Sequence, residues 1–389
     1  MKIGIDARKI LSPEKNSDIG VGHYTYQLIR HLLEIDRENE YVLFFDFKVR
    51  EKDIKKFSQS NVKIKFYPYS DYKKYMPGFY SEILGTATLA KEKLDVVHAT
   101  SPTSRIPSSY RGETMVTIHD LASYKLPSIF SKVSTAKFKA TTSLMTKKAD
   151  KIIAVSDSTK EDVCNLLGCC SDEKVKVVYG GVDKRFFHET QIDRERFLKK
   201  YAIENRYILF LGTLEPVKNI ARMFESFKLF KEKLKRGGRK NNYKLVMAGK
   251  RGWMAKEYKQ MAKDLGISKD VIFTGYVIGD EMVPFFKHAE FFVMPSLYEG
   301  FGSTILEAFA TGTPAIVSNV SSVPEIAGEG ARLVDPMNTE EISNAMTEFA
   351  KNESLRDEYR QKGFEQVRKF TWEKCARETL EIYKSFKKE

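Results

Sequence analysis

The sequence predicts an α/β chain of two doubly wound domains facing across a cleft, and three observations carry that prediction. Short apolar runs rich in β-branched and aromatic residues recur along the chain, helix-length segments separate them, and the alternation breaks near residue 180. Strands that read as continuous apolar runs belong to parallel sheets covered on both faces. Strands alternating with helices build doubly wound sheets. At 389 residues the chain is long for one core and suits two domains.

The first series of strands is MKIGID, YVLFFD, VKIKFY, LDVVHA, TMVTIHD, KIIAVS and VKVVY, all before residue 180. The second is YILFLG, YKLVMAG, DVIFTG, EFFVMP, TPAIVS and ARLVD. Between them, glycines and charges in YGGVDKRFFHETQIDRERF, Tyr179–Phe197, interrupt the pattern and mark the boundary, giving domains over 1–185 and 190–371. The segment from Trp372 to residue 389 reads as a helix packing back on the first domain.

Bulk properties narrow the function. A net charge of +13 implies an anionic partner: nucleic acid, anionic lipid or a phosphorylated substrate. No zinc finger, RNP signature or basic-region heptad accompanies it, so no nucleic acid is expected. Cys164, Cys169, Cys170 and Cys375 match no metal spacing or disulfide framework and read as reduced, structural thiols. The six histidines are scattered, so no metal site and no cofactor is expected. The longest apolar stretches fall well short of the roughly 20 residues a membrane helix needs. The N-terminus starts with a strand and carries no signal-like core, which places the protein in the cytoplasm.

In doubly wound sheets ligands bind beyond the carboxyl ends of the strands. There, the segment SLYEGFGSTILEAFATG, Ser296–Gly312, sets Glu299 and Glu307 eight residues apart around a Gly-Phe-Gly turn that opens into a helix. Gly300 and Gly302, flanking Phe301, allow close backbone approach to a ligand, and the N–H groups of Ser303, Thr304 and Ile305 at the helix start attract an anion. Glu299, ahead of the helix, suits neutral hydroxyls such as those of a hexose. Glu307, two turns in, can do the same for a ribose. The alternative is an ordinary strand-to-helix turn with Glu307 in solvent. A glycosidase pair needs carboxyls about 5–5.5 or 6.5–9.5 Å apart, whereas eight residues of helix rise about 12 Å.

Other strand ends supply further candidates. Gly20 and Gly22 form a glycine loop before an apolar helix, a second phosphate cradle or a simple loop, without the third glycine of a dinucleotide fingerprint. His119 follows TMVTI and can bond a sugar hydroxyl or polarise a reacting group, or be structural. Lys218 and Asn219 follow FLGTLEPV; a lysine there can neutralise a departing diphosphate, or simply lie solvated at a helix start. Gly249, Lys250 and the GYV of Gly275–Val277 can line a nucleotide.

Together SLYEGFGSTILEA, FLGTLEPVKN, MAGKRGW, FTGYV, SVPEIAG and LVDP resemble the retaining glycosyltransferases of family 4, with their two-Rossmann glycosyltransferase-B fold. The resemblance covers nearly the whole chain and is strongest from Ile208 to Pro336. It implies an acceptor-binding first domain and a donor-binding second domain. By it, Glu299 contacts the donor sugar and Glu307 the ribose, Ser303–Ile305 and Lys218 hold the diphosphate, Gly20–Gly22 match the family's N-terminal glycine loop, and His119 its N-domain histidine. It further implies metal-free, retaining transfer of a hexose from a nucleoside diphosphate sugar, with the GTLEP loop pointing to GDP-mannose. This chain departs at Thr213, where many members carry arginine, and at Val217, where GTLEPRKN sequences have one. More of the diphosphate charge then falls to Lys218.

The competing readings are a sugar phosphorylase or nucleotide-sugar epimerase of the same architecture, and a non-catalytic anion or nucleic-acid binding protein. For the acceptor side, Tyr67–Lys93 interleaves aromatics with lysines and SKVSTAKFKATTSLMTKKADK adds a basic helix. Such surfaces lie on anionic membranes. They suggest a peripheral protein with a lipid-linked or growing glycan acceptor, against the alternative of a plain solvated face.

Overall fold

The computed structural model describes all residues except 11–18, 47–48, 50–53, 68–77, 189–191, 205, 239–241, 251, 253, 278 and 387–389. The chain forms two compact units, Met1–Gly181 with Thr371–Glu389, and Val182–Phe370. The first unit runs β1 (Lys2–Asp6), α1 (Ile19–Ile35), β2 (Glu40–Phe45), β3 (Val62–Phe66), α2 (Gly78–Lys91), β4 (Val96–Ala99), β5 (Thr114–Ile118), α3 (Lys132–Lys148), β6 (Lys151–Ala154), α4 (Asp157–Leu167) and β7 (Val175–Val177). Among the described residues its strands form one parallel sheet in the order β3-β2-β1-β4-β5-β6-β7.

The second unit runs α5 (Arg194–Lys200), β8 (Tyr207–Leu211), α6 (Ile220–Arg236), β9 (Lys244–Ala248), α7 (Ala255–Asp264), β10 (Val271–Gly275), α8 (Met282–Lys287), β11 (Phe291–Met294), α9 (Ser303–Ala310), β12 (Ala315–Ser318), α10 (Val323–Ala327), β13 (Ala331–Val334), α11 (Thr339–Lys351) and α12 (Glu353–Val367). Its parallel order is β10-β9-β8-β11-β12-β13. The final helix, α13 (Trp372–Lys384), belongs to the first unit.

Every apolar run read as a strand is one. The central strands are buried along nearly their whole length, as in β5, β11 and β12, which is what covering on both faces requires. The edge strand β3 is only partly covered instead, and Lys63 and Lys65 reach the buried carboxylate of Glu92 at 2.7 and 3.3 Å. Lysines along an edge also oppose pairing with another chain. In the second unit Phe224, Phe227 and Phe230 of α6 are fully buried against Phe291 and Ile316. Each such phenylalanine contributes roughly 1.5–3 kcal/mol by leaving water. Helix α6, which also carries several lysines, is therefore amphipathic, and its Lys231 is itself buried with its Nζ 3.0 Å from Asp270.

Helix α13 packs along α1. Thr371 caps it by accepting from the Lys374 N–H, and Gly181 lets the chain pass, since a Cβ there would lie 2.2 Å from the Trp372 nitrogen. At its other end the buried Tyr383 hydroxyl meets His98 Nδ1 at 2.7 Å, and His98 Nε2 meets Thr117 at 2.8 Å. Burial pushes the His98 pKa down to about 3, so the ring is neutral. No helix among the described residues is long and apolar enough to cross a membrane.

Candidate functional site

In the second unit the strand order reverses at β8, whose neighbours are β9 on one side and β11 on the other. At such a switch point the loops beyond β8 and β11 diverge and leave room for a ligand. After β8 the chain makes a 3-10 turn over Pro216–Lys218; after β11 it runs through Ser296–Gly302 into α9. The Leu297 N–H donates to the Val217 carbonyl at 2.8 Å and ties the two loops together. Across this junction Lys218 Nζ donates to Glu299 Oε1 at 2.6 Å, and Ser296 Oγ donates to the same oxygen at 2.6 Å. The Glu299 backbone is fixed by Ser321 and Ser322, whose hydroxyls lie 2.9 Å from its N–H and its carbonyl. A lysine and a carboxylate from segments 81 residues apart are thus held side by side.

Gly302 caps α9 in the left-handed region at φ 87°, where a side chain is strained. The Ile305 N–H donates back to the Gly302 carbonyl at 3.0 Å, so it is not an outward donor as expected from the sequence. The amides of Ser303 and Thr304, in the first turn, have no intrahelical acceptor and carry the positive end of the helix dipole. Glu299, Gly300 and Phe301 precede this turn, and Phe301 rests edge-on against Phe370 at 6.1 Å.

Glu307 lies one turn into α9, not two, because the helix begins only at Ser303. It is half-buried, and burial lifts its pKa to about 7, with Arg185 pulling it down and Asp183 pushing it up. Arg185 was missed by sequence reasoning because it sits in a stretch read as boundary. Its only signal was a basic residue two positions after an aspartate in GGVDKRFF.

Three other candidates shape the strand ends. Gly249, at φ 143°, would place a Cβ 2.0 Å from the Gly212 carbonyl, so the loops after β8 and β9 meet only because it is glycine. Lys250 accepts at its carbonyl from Leu214 at 3.1 Å, beside the half-buried Thr213. Val277 is buried just past β10. Asn219 needs correcting: its Nδ2 donates to the carbonyls of Pro295 and Pro336, and its Oδ1 accepts from Arg222. A buried amide so engaged holds the loop that presents Lys218 and does not offer itself to a ligand.

In the first unit the glycine expectation also needs correcting. Gly20 and Gly22 lie in the first turn of α1, not in a loop, and the preceding residues 11–18 lie outside those described. A Cβ on Gly22 would come 2.4 Å from the Lys9 carbonyl, so glycine there lets the helix start close on the end of β1. His119 donates from Nε2 to the Thr100 carbonyl at 2.7 Å and stands edge-on to Tyr24 at 4.7 Å. Burial drops its pKa to about 4, leaving a neutral ring whose Nδ1 is an acceptor. His119 and the Lys218–Glu299 pair belong to different units. Among the described residues no group of histidine, cysteine and carboxylate side chains is gathered to hold a metal ion.

Two family models divide this chain between them. Residues 193–366 match that of "Glycosyl transferases group 1" and residues 19–186 that of "Glycosyltransferase Family 4". The chain is a family 4, group 1 glycosyltransferase. This glycosyltransferase is 27% identical over 271 residues to the O-antigen chain mannosyltransferase B of Escherichia coli, spanning 69% of this chain and 70% of that protein. Against the serotype-specific mannosyltransferase WbdA of the same organism the identity is 28% over 238 residues, covering 60% of this chain and 29% of WbdA. The sucrose-phosphate synthase of Thermosynechococcus elongatus superposes with a TM-score of 0.76 at 16% identity, over 99% of this chain and 98% of that one. That likeness is one of fold, and the fold is the two-Rossmann architecture expected from the motifs. As a glycosyltransferase the chain uses a sugar donor and a glycan acceptor, and neither phosphorylase, epimerase nor nucleic-acid binding is favoured.

Proposed function

We propose that this glycosyltransferase moves mannose from GDP-mannose to a hydroxyl of a lipid-linked or growing polysaccharide, with retention and without a metal. The observation that carries the donor side is the Lys218–Glu299 pair at the β8/β11 switch point, beside the open amides of Ser303 and Thr304. Diphosphate at that helix start would draw the Lys218 ammonium, and Glu299 would turn its carboxylate to the sugar hydroxyls. Glu307, one turn further on, would accept from the ribose diol. The mannose assignment draws on the names of the two mannosyltransferases above.

In the transfer, the bond from the anomeric carbon to the diphosphate oxygen breaks and a bond to the acceptor oxygen forms on the same face. The acceptor proton passes to the leaving diphosphate. Lys218 and the helix amides stabilise the charge that appears there, the part of the reaction where preorganised donors contribute most. His119, neutral and with Nδ1 an acceptor, would bond a sugar hydroxyl and not protonate it.

For the acceptor, support comes from α3. It contains no acidic residue, and its outer stripe carries Val133 and Leu144, 81% and 56% exposed, among Lys132, Lys137 and Lys147. Apolar and basic residues on one exposed stripe suit the interface of an anionic membrane, which would place the enzyme at the cytoplasmic membrane face. Residues 68–77 of the aromatic segment lie outside those described.

Calorimetric titration with GDP, UDP, ADP and dTDP in the presence of chelator tests the donor reading. Selective binding of GDP is expected. Selectivity for another base would overturn the GDP-mannose assignment, and binding of none would overturn the donor site itself.

A further inference from the structure

Arg185 has no assigned part in the site, yet its placement is specific. Val182 begins the second unit, and a 3-10 turn over Lys184–Phe187 follows at once. Asp183 caps that turn, accepting the Arg185 N–H at 3.0 Å, and takes the guanidinium Nη2 on its other oxygen at 2.6 Å. Phe186 anchors the turn, buried and edge-on to Phe286 at 6.1 Å. The 3-10 turn after β10, Gly279–Glu281, brings Asp280 to 3.9 Å from Nη1. The guanidinium is therefore fixed on a rigid turn, with Asp183, Asp280 and Glu307 as the acids that feel its charge.

The turn packs against α9, the helix that carries Glu307, and two of these groups, Arg185 and Asp183, act on the Glu307 carboxyl with opposite sign. A carboxylate taken out of water beside an aspartate prefers to be protonated, and a protonated one is a poorer acceptor for a diol. Arg185 is the cation that opposes this. Resting on the donor-site reading above, we propose that Arg185 is a positioning residue for nucleotide binding, holding Glu307 as the carboxylate that accepts from the ribose hydroxyls. Arg185 itself need not touch the nucleotide.

The sign of the effect follows from the charges. A ligand that prefers ionised Glu307 binds more tightly as pH rises and levels off above the Glu307 pKa, about 7. Losing Arg185 moves that midpoint up; losing the Asp183 charge moves it down. Asp183→Asn keeps a good capping residue for the turn, so it retains the fold if Arg185→Gln does not.

The experiment measures the affinity of whichever of GDP, UDP, ADP and dTDP binds best, by calorimetry from pH 5.5 to 8.5. It uses the full chain as wild type, Arg185→Gln, Asp183→Asn and Glu307→Gln. Expected are an upward shift of the midpoint by about one pH unit in Arg185→Gln, a downward shift in Asp183→Asn, and in Glu307→Gln only the pH dependence of the nucleotide's own terminal phosphate, whose second pKa of about 6 is common to every variant. An unchanged midpoint in both Arg185→Gln and Asp183→Asn, with wild-type binding intact, overturns the inference and leaves the donor site standing. Wild-type protein that binds no nucleoside diphosphate at any pH overturns the donor site, and this inference with it.

Discussion

Both sheets reverse their strand order once, and the two switch points are built in opposite ways. At the β1/β4 junction of the first unit the polar groups bond mainly to each other. Arg8 grips Asp6 through Nε and Nη2 at 2.9 and 2.5 Å, Thr100 donates to the Asp6 carbonyl at 2.9 Å, and His119 donates to the Thr100 carbonyl. At the β8/β11 junction a lysine and a glutamate meet instead, next to helix amides with no intrahelical acceptor. Mutual satisfaction rigidifies; charge held beside open donors waits for a ligand. The difference teaches that one switch point is closed by groups paired with each other, whereas the other keeps a lysine and a carboxylate beside helix amides, the arrangement that the proposed transfer requires.

The largest effect should come from the charged junction. Replacing Lys218 by alanine removes the cation that the proposed mechanism sets against the leaving diphosphate, and it takes from Glu299 Oε1 the Lys218 bond while leaving that of the Ser296 hydroxyl. Losing one preorganised donor of this kind costs about 10²–10³ in turnover, roughly 2.7–4 kcal/mol. Steady-state rates with GDP-mannose and a mannose-terminated acceptor would measure it. A Lys218→Ala enzyme turning over at the wild-type rate would place the electrostatic work elsewhere and break the contrast.

A smaller effect is expected at His119. With its pKa near 4 the ring stays neutral across the physiological range, so His119 should add no inflection to the pH–rate profile between pH 5 and 8. His119→Ala should slow transfer by about tenfold, the loss of roughly one hydrogen bond, with nucleoside diphosphate affinity unchanged because the ring lies in the other unit. The same depressed pKa bears on stability. The unfolded chain takes up protons at its ordinary histidine pKa, before the folded one does, so His119 contributes stability that falls away as pH drops from about 6.5 towards 4. An inflection near 6.5 in the rate profile that vanishes in His119→Ala would show a ring that titrates during catalysis.

This contrast also explains what could be read in the sequence. Strands buried on both faces must be apolar throughout, so runs such as TMVTI and FFVM announce themselves, and parallel strands place Lys218, Glu299 and His119 at one kind of edge. Gly20 and Gly22 misled because glycine signals a loop locally, whereas Gly22 is required by the Lys9 carbonyl packed against its helix. Asn219 misled because the carbonyls that engage it lie 76 and 117 residues away. Arg185 stayed hidden for the same reason: Asp280 and Glu307 come beside it only through the fold. Motif spacing shows what a segment can present, and long-range partners decide what it does present.

The smallest effect on activity sharpens the structural side of the comparison. Tyr383 carries the return of α13 to the first sheet, its hydroxyl 2.7 Å from His98 Nδ1 in a fully buried site. Tyr383→Phe keeps the ring and deletes one hydrogen bond, leaving a buried imidazole nitrogen unsatisfied, which costs about 1–3 kcal/mol. Denaturant unfolding should show the lower midpoint in the transition that reports the first unit, with Lys218-dependent nucleotide binding untouched. If nucleotide affinity fell as far as stability did, the two units would share one cooperative transition, and the division between a structural and an electrostatic switch point would hold for the chemistry but not for the folding.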